Sequence, residues 1–373
     1  MAEGLTSIST AQFSSEERQQ AIAAQIAAAL AQQRADAPAP VRRHGSSVGT
    51  HAGEARENNC VGGKLFPEFY VLGAKNTATS SLWADLRDRG VWAAPGTFDV
   101  KEWLAFQKYS VLPQLIQQAI WMESMPECPE EPRVMADFSV TNLFDVQLPS
   151  DLAWSMELGY PSRSEMDYKN WDTARLIRKF HDEAGAREPK FVIMLREPLE
   201  RLQSEYYHTL PLKNCRGCMV NNSFVDSFAT NVALLQQKPP QVSDWFWKSF
   251  YSRQIEEFLR YFDPKQFLFV PDKEYFAIKP AAFSASLLSW LNLDAQPWTE
   301  ASHENEHTSR PPLDVELPPG TPTREAYEAF MAPENARLIS ALVKAHAFGA
   351  TLAGYPGALG DATGVAAWLQ RGW

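Results

Sequence analysis

The chain is short of several things that would have fixed its class at once. It has no apolar run near the roughly 18 residues a membrane-spanning helix needs. It has only 4 cysteines in 373 residues, Cys60, Cys128, Cys215 and Cys218, too few for a disulfide scaffold of this size. Positive charge is also in deficit: 35 Lys and Arg stand against 45 Asp and Glu, a net charge of −10. Long-range repulsion makes such a chain a poor general partner for nucleic acid or polyanionic polysaccharide, although a local basic pocket is compatible with it. The N-terminus, Met1-Ala-Glu-Gly-Leu-Thr-Ser, lacks a basic stretch leading into an apolar one, so no secretory signal is expected and the cytoplasm is the default location.

What is present is 45% hydrophobic residues, enough for a sizeable core. Residues 1–64 differ from the rest. Ser14-Ser-Glu-Glu17 is a helix start ahead of the Ala-rich stretch Ala21 to Leu30, and a Pro-, Gly- and Ser-rich stretch continues to Gly63. This composition predicts a flexible arm with one helix, and order beginning near Phe66 in a domain over 65–373.

Within that domain, Phe69–Gly73, Val134–Asp137, Lys190–Leu195 and Phe267–Val270 have the apolar character of buried strands. Thr79–Arg87, Trp171–Glu183, Phe224–Leu235, Trp245–Tyr261, Pro280–Leu291 and Asn335–Ala347 have helical spacing, and Pro198 marks the first turn of another helix. Strands alternating with helices predict an α/β fold, three layers with a central parallel sheet. Leu317–Pro322 is expected to be a loop.

Two strand-to-helix turns point to phosphate chemistry. After Phe69–Gly73 comes a small-residue turn, Ala74-Lys-Asn-Thr-Ala78, and then the helix start Thr79-Ser80-Ser81. Backbone N–H groups and the positive helix end make such a turn an anion site, and hydroxyls add donors. It is not a Walker A motif, because the Gly-Lys-Ser/Thr ending is missing. A plain turn with no ligand is the alternative. The second turn comes after Lys190–Leu195. Arg196 stands at the strand's carboxyl end, the edge where open α/β sheets bind ligands. Arg201 and Ser204 lie on the first helical turns, and a guanidinium with a hydroxyl at a helix start suits phosphate. The alternative is a set of ion pairs, Arg201 with Glu197 or Glu205.

Together these turns, about 120 residues apart, resemble the sulfotransferase family that uses 3′-phosphoadenosine 5′-phosphosulfate (PAPS), nearest its glycosaminoglycan-type branch. The segment Leu195-Arg-Glu-Pro-Leu-Glu-Arg-Leu-Gln-Ser-Glu-Tyr206 is similar to the family's second signature, with Glu197 in place of Asp or Asn. The spacing to Phe250–Phe262 and the strand Phe267–Val270 resembles the same branch. The resemblance covers roughly residues 66–350. It implies a P-loop-kinase-like sheet, with Arg196 and Ser204 on the donor's 3′-phosphate and residues 73–81 around the 5′-phosphosulfate. The first signature departs from the family. In Gly73-Ala-Lys-Asn-Thr-Ala-Thr-Ser-Ser-Leu82 the family lysine falls on Asn76 and its second glycine on Ala78. The resemblance then requires Lys75 to swing in, or Asn76 to serve as a neutral donor. Thr77, Thr79, Ser80 and Ser81 remain as hydroxyl donors.

An alcohol acceptor needs a base. Lys101-Glu-Trp-Leu-Ala-Phe106 resembles the family segment that carries it, which assigns Glu102 to the role, with Leu104 where the family has His and Asp99 as a nearby substitute. The alternative is the solvated start of a helix running to Gln118. Asp137-Phe-Ser-Val-Thr-Asn142 resembles another cleft segment but has lost its lysine to Phe138. Arg310, in Asn305-Glu-His-Thr-Ser-Arg310, falls where relatives close a loop over the 3′-phosphate. A cleft short of lysines implies a small or neutral acceptor, with Trp83, Trp92, Trp103 and Trp121 as wall or core.

Other signals compete. His303-Glu-Asn-Glu-His307 matches the zincin pattern, but the stretch lacks an apolar stripe and Pro311-Pro312 comes at once after it. Cys215-Arg-Gly-Cys218 has no second pair to complete a zinc site, and Asn221-Asn-Ser223 is a glycosylation sequon only in a secreted chain. A nucleotide-binding protein that does not transfer sulfate is the other function class the altered loop allows.

Overall fold

The computed structural model describes residues 56–94, 101–102, 121–122, 124–146, 148–154, 172–210, 223–277, 280–293, 297–298, 300 and 310–373. Asp99, Trp103, Leu104, Cys215, Cys218, Asn221, the His303–His307 segment and the arm through residue 55 lie outside these.

The described chain opens with a hairpin, β1 (Cys60–Val61) and β2 (Lys64–Leu65), ahead of the expected start at Phe66. Cys60 and Cys128 form a disulfide, one bonded pair despite the low cysteine count. Next come β3 (Phe69–Gly73), α1 (Thr79–Arg87), β4 (Val91–Ala93), β5 (Val134–Asp137), β6 (Ala153–Trp154), α2 (Thr173–Ala184), β7 (Lys190–Leu195) and α3 (Pro198–Thr209). The second half has α4 (Phe224–Leu235), β8 (Gln241–Val242), α5 (Asp244–Trp247), α6 (Tyr251–Tyr261), β9 (Phe267–Pro271), α7 (Asp272–Ala277), α8 (Pro280–Trp290), α9 (Leu313–Glu316), α10 (Pro322–Ala347), β10 (Thr351–Leu352) and α11 (Ala362–Arg371).

Six strands form one sheet in the order β10-β9-β7-β3-β5-β4, and every neighbouring pair is parallel. Strand side chains alternate between two cores, as the period of two requires. Tyr70, Leu72, Phe191, Ile193, Phe267 and Phe269 face one core, shared with α2, α3, α6 and α10. Phe69, Val71, Val192, Met194, Leu268 and Val270 face the other, shared with α1, α7 and α8. The fold is thus a three-layer α/β/α sandwich around a parallel sheet. Its buried strands read as continuous apolar runs because both faces are covered. Among the described residues, no helix is long and apolar enough to cross a membrane.

Two helix boundaries correct the sequence expectation. The single helix expected over Trp245–Tyr261 is split at Lys248–Phe250, where Phe250 has φ −88° and ψ 54°. The carbonyls freed by the break are taken by buried side chains: Arg201 donates to Trp245 O at 2.7 Å, and Gln254 to Trp247 O at 2.6 Å. The late helix starts at Pro322, well before Asn335, and runs through Pro333. Pro333 costs one backbone bond. Burial of Tyr327, Met331, Leu338 and Leu342, and the pair of Glu334 with Arg253 at 2.6 Å, hold the helix together across it.

Candidate functional site

The parallel arrangement brings the carboxyl ends of β3, β5, β7 and β9 to one edge of the sheet. The residues next in sequence after these strands are Ala74, Phe138, Arg196 and Asp272. This is the edge where an open α/β sheet leaves room for a ligand.

The first turn is built by the backbone. In the β3–β7 ladder Val71 pairs with Val192 and Gly73 with Ile193, so Leu72 is an extra residue and the strand bulges just before the turn. Gly73 has φ +133°, and a Cβ there would lie 2.8 Å from Val140 O, so only glycine fits. Ala74 N donates to Met194 O at 2.8 Å, tying the turn to β7. Asn76 and Ala78 both have left-handed backbone, φ 65° and 58°. Asn tolerates this; Ala does so at some cost, which accounts for glycine as the residue expected at that position. Thr77 is fully buried, and its hydroxyl donates to Ala74 O at 2.5 Å, so it locks the loop rather than facing a ligand.

The second turn is capped by the chain itself. Glu197 accepts from Glu200 N at 2.6 Å, doing with a longer side chain the N-cap work of the expected Asp or Asn. Pro198 occupies the first helical turn. Arg196 spans the two turns: its Nη1 donates to Asn76 O at 3.3 Å and to Ser204 Oγ at 3.4 Å. On its other side Nε lies 3.4 Å from Asp272 Oδ2 and 3.7 Å from Glu200. Nε makes no hydrogen bond, and neither do the buried oxygens Asp272 Oδ1 and Asn76 Oδ1. Burial pushes the Asp272 carboxyl up to about 6 against the opposing pull of Arg196.

Arg201 does not join Arg196 at this edge. It is fully buried and donates to Glu205 at 2.6 Å, to Ser249 Oγ at 2.7 Å and to Trp245 O. The ion-pair alternative therefore holds for Arg201. Lys75 is drawn to the same carboxylate, with Nζ 3.2 Å from Glu205 Oε1. Lys248 Nζ lies 2.7 Å from that oxygen and 2.9 Å from Asp244. Burial alone would raise the Glu205 carboxyl, but Lys248, Lys75 and Arg201 hold it well below the usual carboxylate range. The neighbouring Lys248 charge, and burial, push the Lys75 ammonium down.

A different lysine reaches the first turn of α1. Lys101 Nζ donates to Thr79 Oγ1 and to Ser80 Oγ, each at 3.0 Å, and lies 3.3 Å from Glu102 Oε1. Glu102 is one-third exposed, and its charge adds to the burial that raises the Asp137 carboxyl. Asp137 itself is buried, accepting from Ser139 N at 2.7 Å and from Asn142 Nδ2. Arg310 is half-buried. The carbonyl of its neighbour Pro311 accepts from Gln203 at 3.1 Å, beside Ser204 on α3. Trp121 is core, stacked on Phe180 and edge-on to Phe66, while Trp83 and Trp92 lie under Arg87 and Arg133.

The structure thus gathers Asn76, Ala78, Thr79, Ser80, Arg196 and Ser204 at one sheet edge, and Glu102 joins them through Lys101. It turns Lys75 toward Glu205 and Thr77 into the loop. Lys101, Glu205, Lys248 and Asp272 were not singled out by the sequence as site residues. Only Lys101 left a signal there, as the residue next to Glu102. No three or more His, Cys, Asp or Glu residues group as a metal site among the described residues.

The chain is similar to a sulfotransferase from Alicyclobacillus acidocaldarius known from its crystal structure, at 22% identity and a TM-score of 0.46, covering 74% of this chain and 95% of that one. No protein-family model matches the chain, and no curated protein does.

Proposed function

We propose that the protein is a sulfotransferase that moves a sulfuryl group from PAPS to a hydroxyl or amine of a small or neutral acceptor. The observation that carries this reading is the Arg196 guanidinium, which links the two strand-to-helix turns through Asn76 O and Ser204 Oγ. A planar guanidinium beside a hydroxyl at a helix start is suited to a phosphate. The buried Asn76 Oδ1 is an acceptor without a donor, which a hydroxyl of a nucleotide ligand would satisfy.

In this reading Arg196 and Ser204 hold the 3′-phosphate, with Arg310 approaching from the chain that crosses α3. The turn from Gly73 to Ser80 holds the 5′-phosphosulfate. Transfer is mainly positioning and charge stabilisation. A new S–O or S–N bond forms to the acceptor while the S–O bond to the 5′-phosphate breaks, and that electron pair stays on the phosphate oxygen. Glu102 takes the acceptor's proton. A cleft of this make-up, with Glu102 and Asp137 beside it, favours neutral or cationic acceptors over sulfated polysaccharide.

The test combines calorimetry with adenosine 3′,5′-bisphosphate and transfer from labelled PAPS to a panel of alcohols and amines. Wild type binds the nucleotide and labels an acceptor. Arg196→Ala loses nucleotide affinity, and Glu102→Gln loses transfer to alcohols while still binding the nucleotide. Full turnover of Glu102→Gln on an alcohol sinks the base assignment. Nucleotide binding with no transfer to any acceptor favours the second reading, a PAPS-binding module, for which the engagement of Lys75 by Glu205 speaks.

A further inference from the structure

Lys75 and Lys101 both lie near the first turn, and they have opposite surroundings. The Lys75 ammonium is committed to Glu205, a carboxylate only 1% exposed that three cations share. Among the described residues, Lys101 has Glu102 as its carboxylate partner and otherwise contacts the hydroxyls of Thr79 and Ser80. A hydroxyl that accepts from an ammonium keeps its own O–H, so both hydroxyls remain able to donate to an anion. Those hydroxyls sit on the first turn of α1, where the helix end is itself positive. Glu102 offsets part of the Lys101 charge there, and an anion at the helix end would meet both the ammonium and the two hydroxyls. The Lys101 side chain is only 15% exposed, so little water is available to screen it.

Resting on the sulfotransferase reading, we infer that Lys101 supplies the positive charge at the 5′-phosphosulfate, in place of a lysine in the turn itself, and that Lys75 serves to neutralise Glu205. The displacement of lysine from Asn76's position to Lys75 is then no defect. The charge comes from Lys101, which follows β4 in sequence and contacts the first turn of α1. Because Lys101 also lies beside Glu102, one ammonium ties the donor's leaving side to the base.

The experiment measures binding of adenosine 3′,5′-bisphosphate and of adenosine 3′-monophosphate by calorimetry for wild type, Lys101→Met, Lys101→Arg and Lys75→Met. Loss of a charge-assisted bond is expected to weaken the bisphosphate about tenfold or more in Lys101→Met. The monophosphate, which has no 5′ group, should change less than about twofold, and Lys101→Arg should retain most of the affinity. Lys75→Met should weaken the bisphosphate by less than about threefold, because Glu205 keeps Lys248 and Arg201 and the lost ammonium does not contact the nucleotide. If Lys101→Met does not fold, Lys101→Gln, which keeps a donor without the charge, carries the comparison. A loss in Lys75→Met as large as that in Lys101→Met overturns the assignment, as does an equal loss for the monophosphate. Wild type that binds neither nucleotide overturns the sulfotransferase reading, and this inference with it.

Discussion

At the residue scale, the site is made by single groups whose neighbours lie far away in sequence. Asp272 comes directly after β9 yet stands against Arg196 after β7. Burial lifts its carboxyl from 3.8 to about 6, so the folded protein holds a proton that the unfolded chain has released between those values. The stabilisation from this group is present below about pH 4 and is lost as pH rises through about 6. Asp272→Asn should therefore match wild type in urea denaturation at pH 4 and exceed it by about 3 kcal/mol at pH 7. The same change removes a carboxylate that competes for the guanidinium, so adenosine 3′,5′-bisphosphate should bind the variant more tightly at pH 7.

At the scale of elements, α3 does two jobs with neighbouring residues of one face, since Ser204 and Glu205 lie three and four positions after Arg201. Ser204, with Arg196 just ahead of the helix, serves the sheet edge, while Arg201 and Glu205 lock α3 to α5 and to the break before α6. Arg201, Glu205 and Lys248 are all under 5% exposed, and each charge is matched. Glu205 keeps Lys248 and Lys75 when Arg201 is removed, so the cost is that of a lost buried charge-assisted hydrogen bond, about 1.5–3 kcal/mol. Arg201→Met should lower the stability of the protein by that amount in denaturant titration. It also strips bonds from Trp245 O and Ser249 Oγ, the groups that hold the break open. A loss below about 1 kcal/mol, the value of an exposed pair, contradicts this account of the cluster.

At the scale of the whole molecule, the hairpin β1–β2 is fastened to the rest by the Cys60–Cys128 disulfide, across a sequence separation of 68. Closing a loop of that length in the unfolded chain stabilises the folded one by about 4 kcal/mol in the chain-entropy account. Cys128→Ser should lower the melting temperature accordingly, and cysteine-alkylated peptides from unreduced protein should contain Cys60 linked to Cys128. Bonded cysteines belong to oxidising compartments, so protein isolated from its source with both thiols free would support the cytosolic expectation, and protein with the link intact would speak against it.

The four inner strands of the sheet and the two turns are legible in the linear string, whereas the short edge strands β4 and β10 are not. Apolar runs of strand length, a glycine at a strand end, and an arginine between a strand and a helix are local features, and local features need no partner to be read. Thus Phe69–Gly73, Val134–Asp137, Lys190–Leu195 and the helices Thr79–Arg87 and Phe224–Leu235 stand where the pattern puts them. Which charges meet is a matter of the folded chain. The late helix extends back past Pro333 to Pro322 because packing against α6 outweighs the one lost bond. The linear string leaves Arg201 between a phosphate contact and an ion pair, and Trp245, Ser249 and Glu205 decide it by closing around it. The choice between Lys75 and Lys101 depends on Glu205 and Lys248, which are 130 and 173 positions from Lys75 in the chain and adjacent to it in space. Coulomb energy falls with distance through space and is indifferent to distance along the chain, so no spacing rule could have carried that answer.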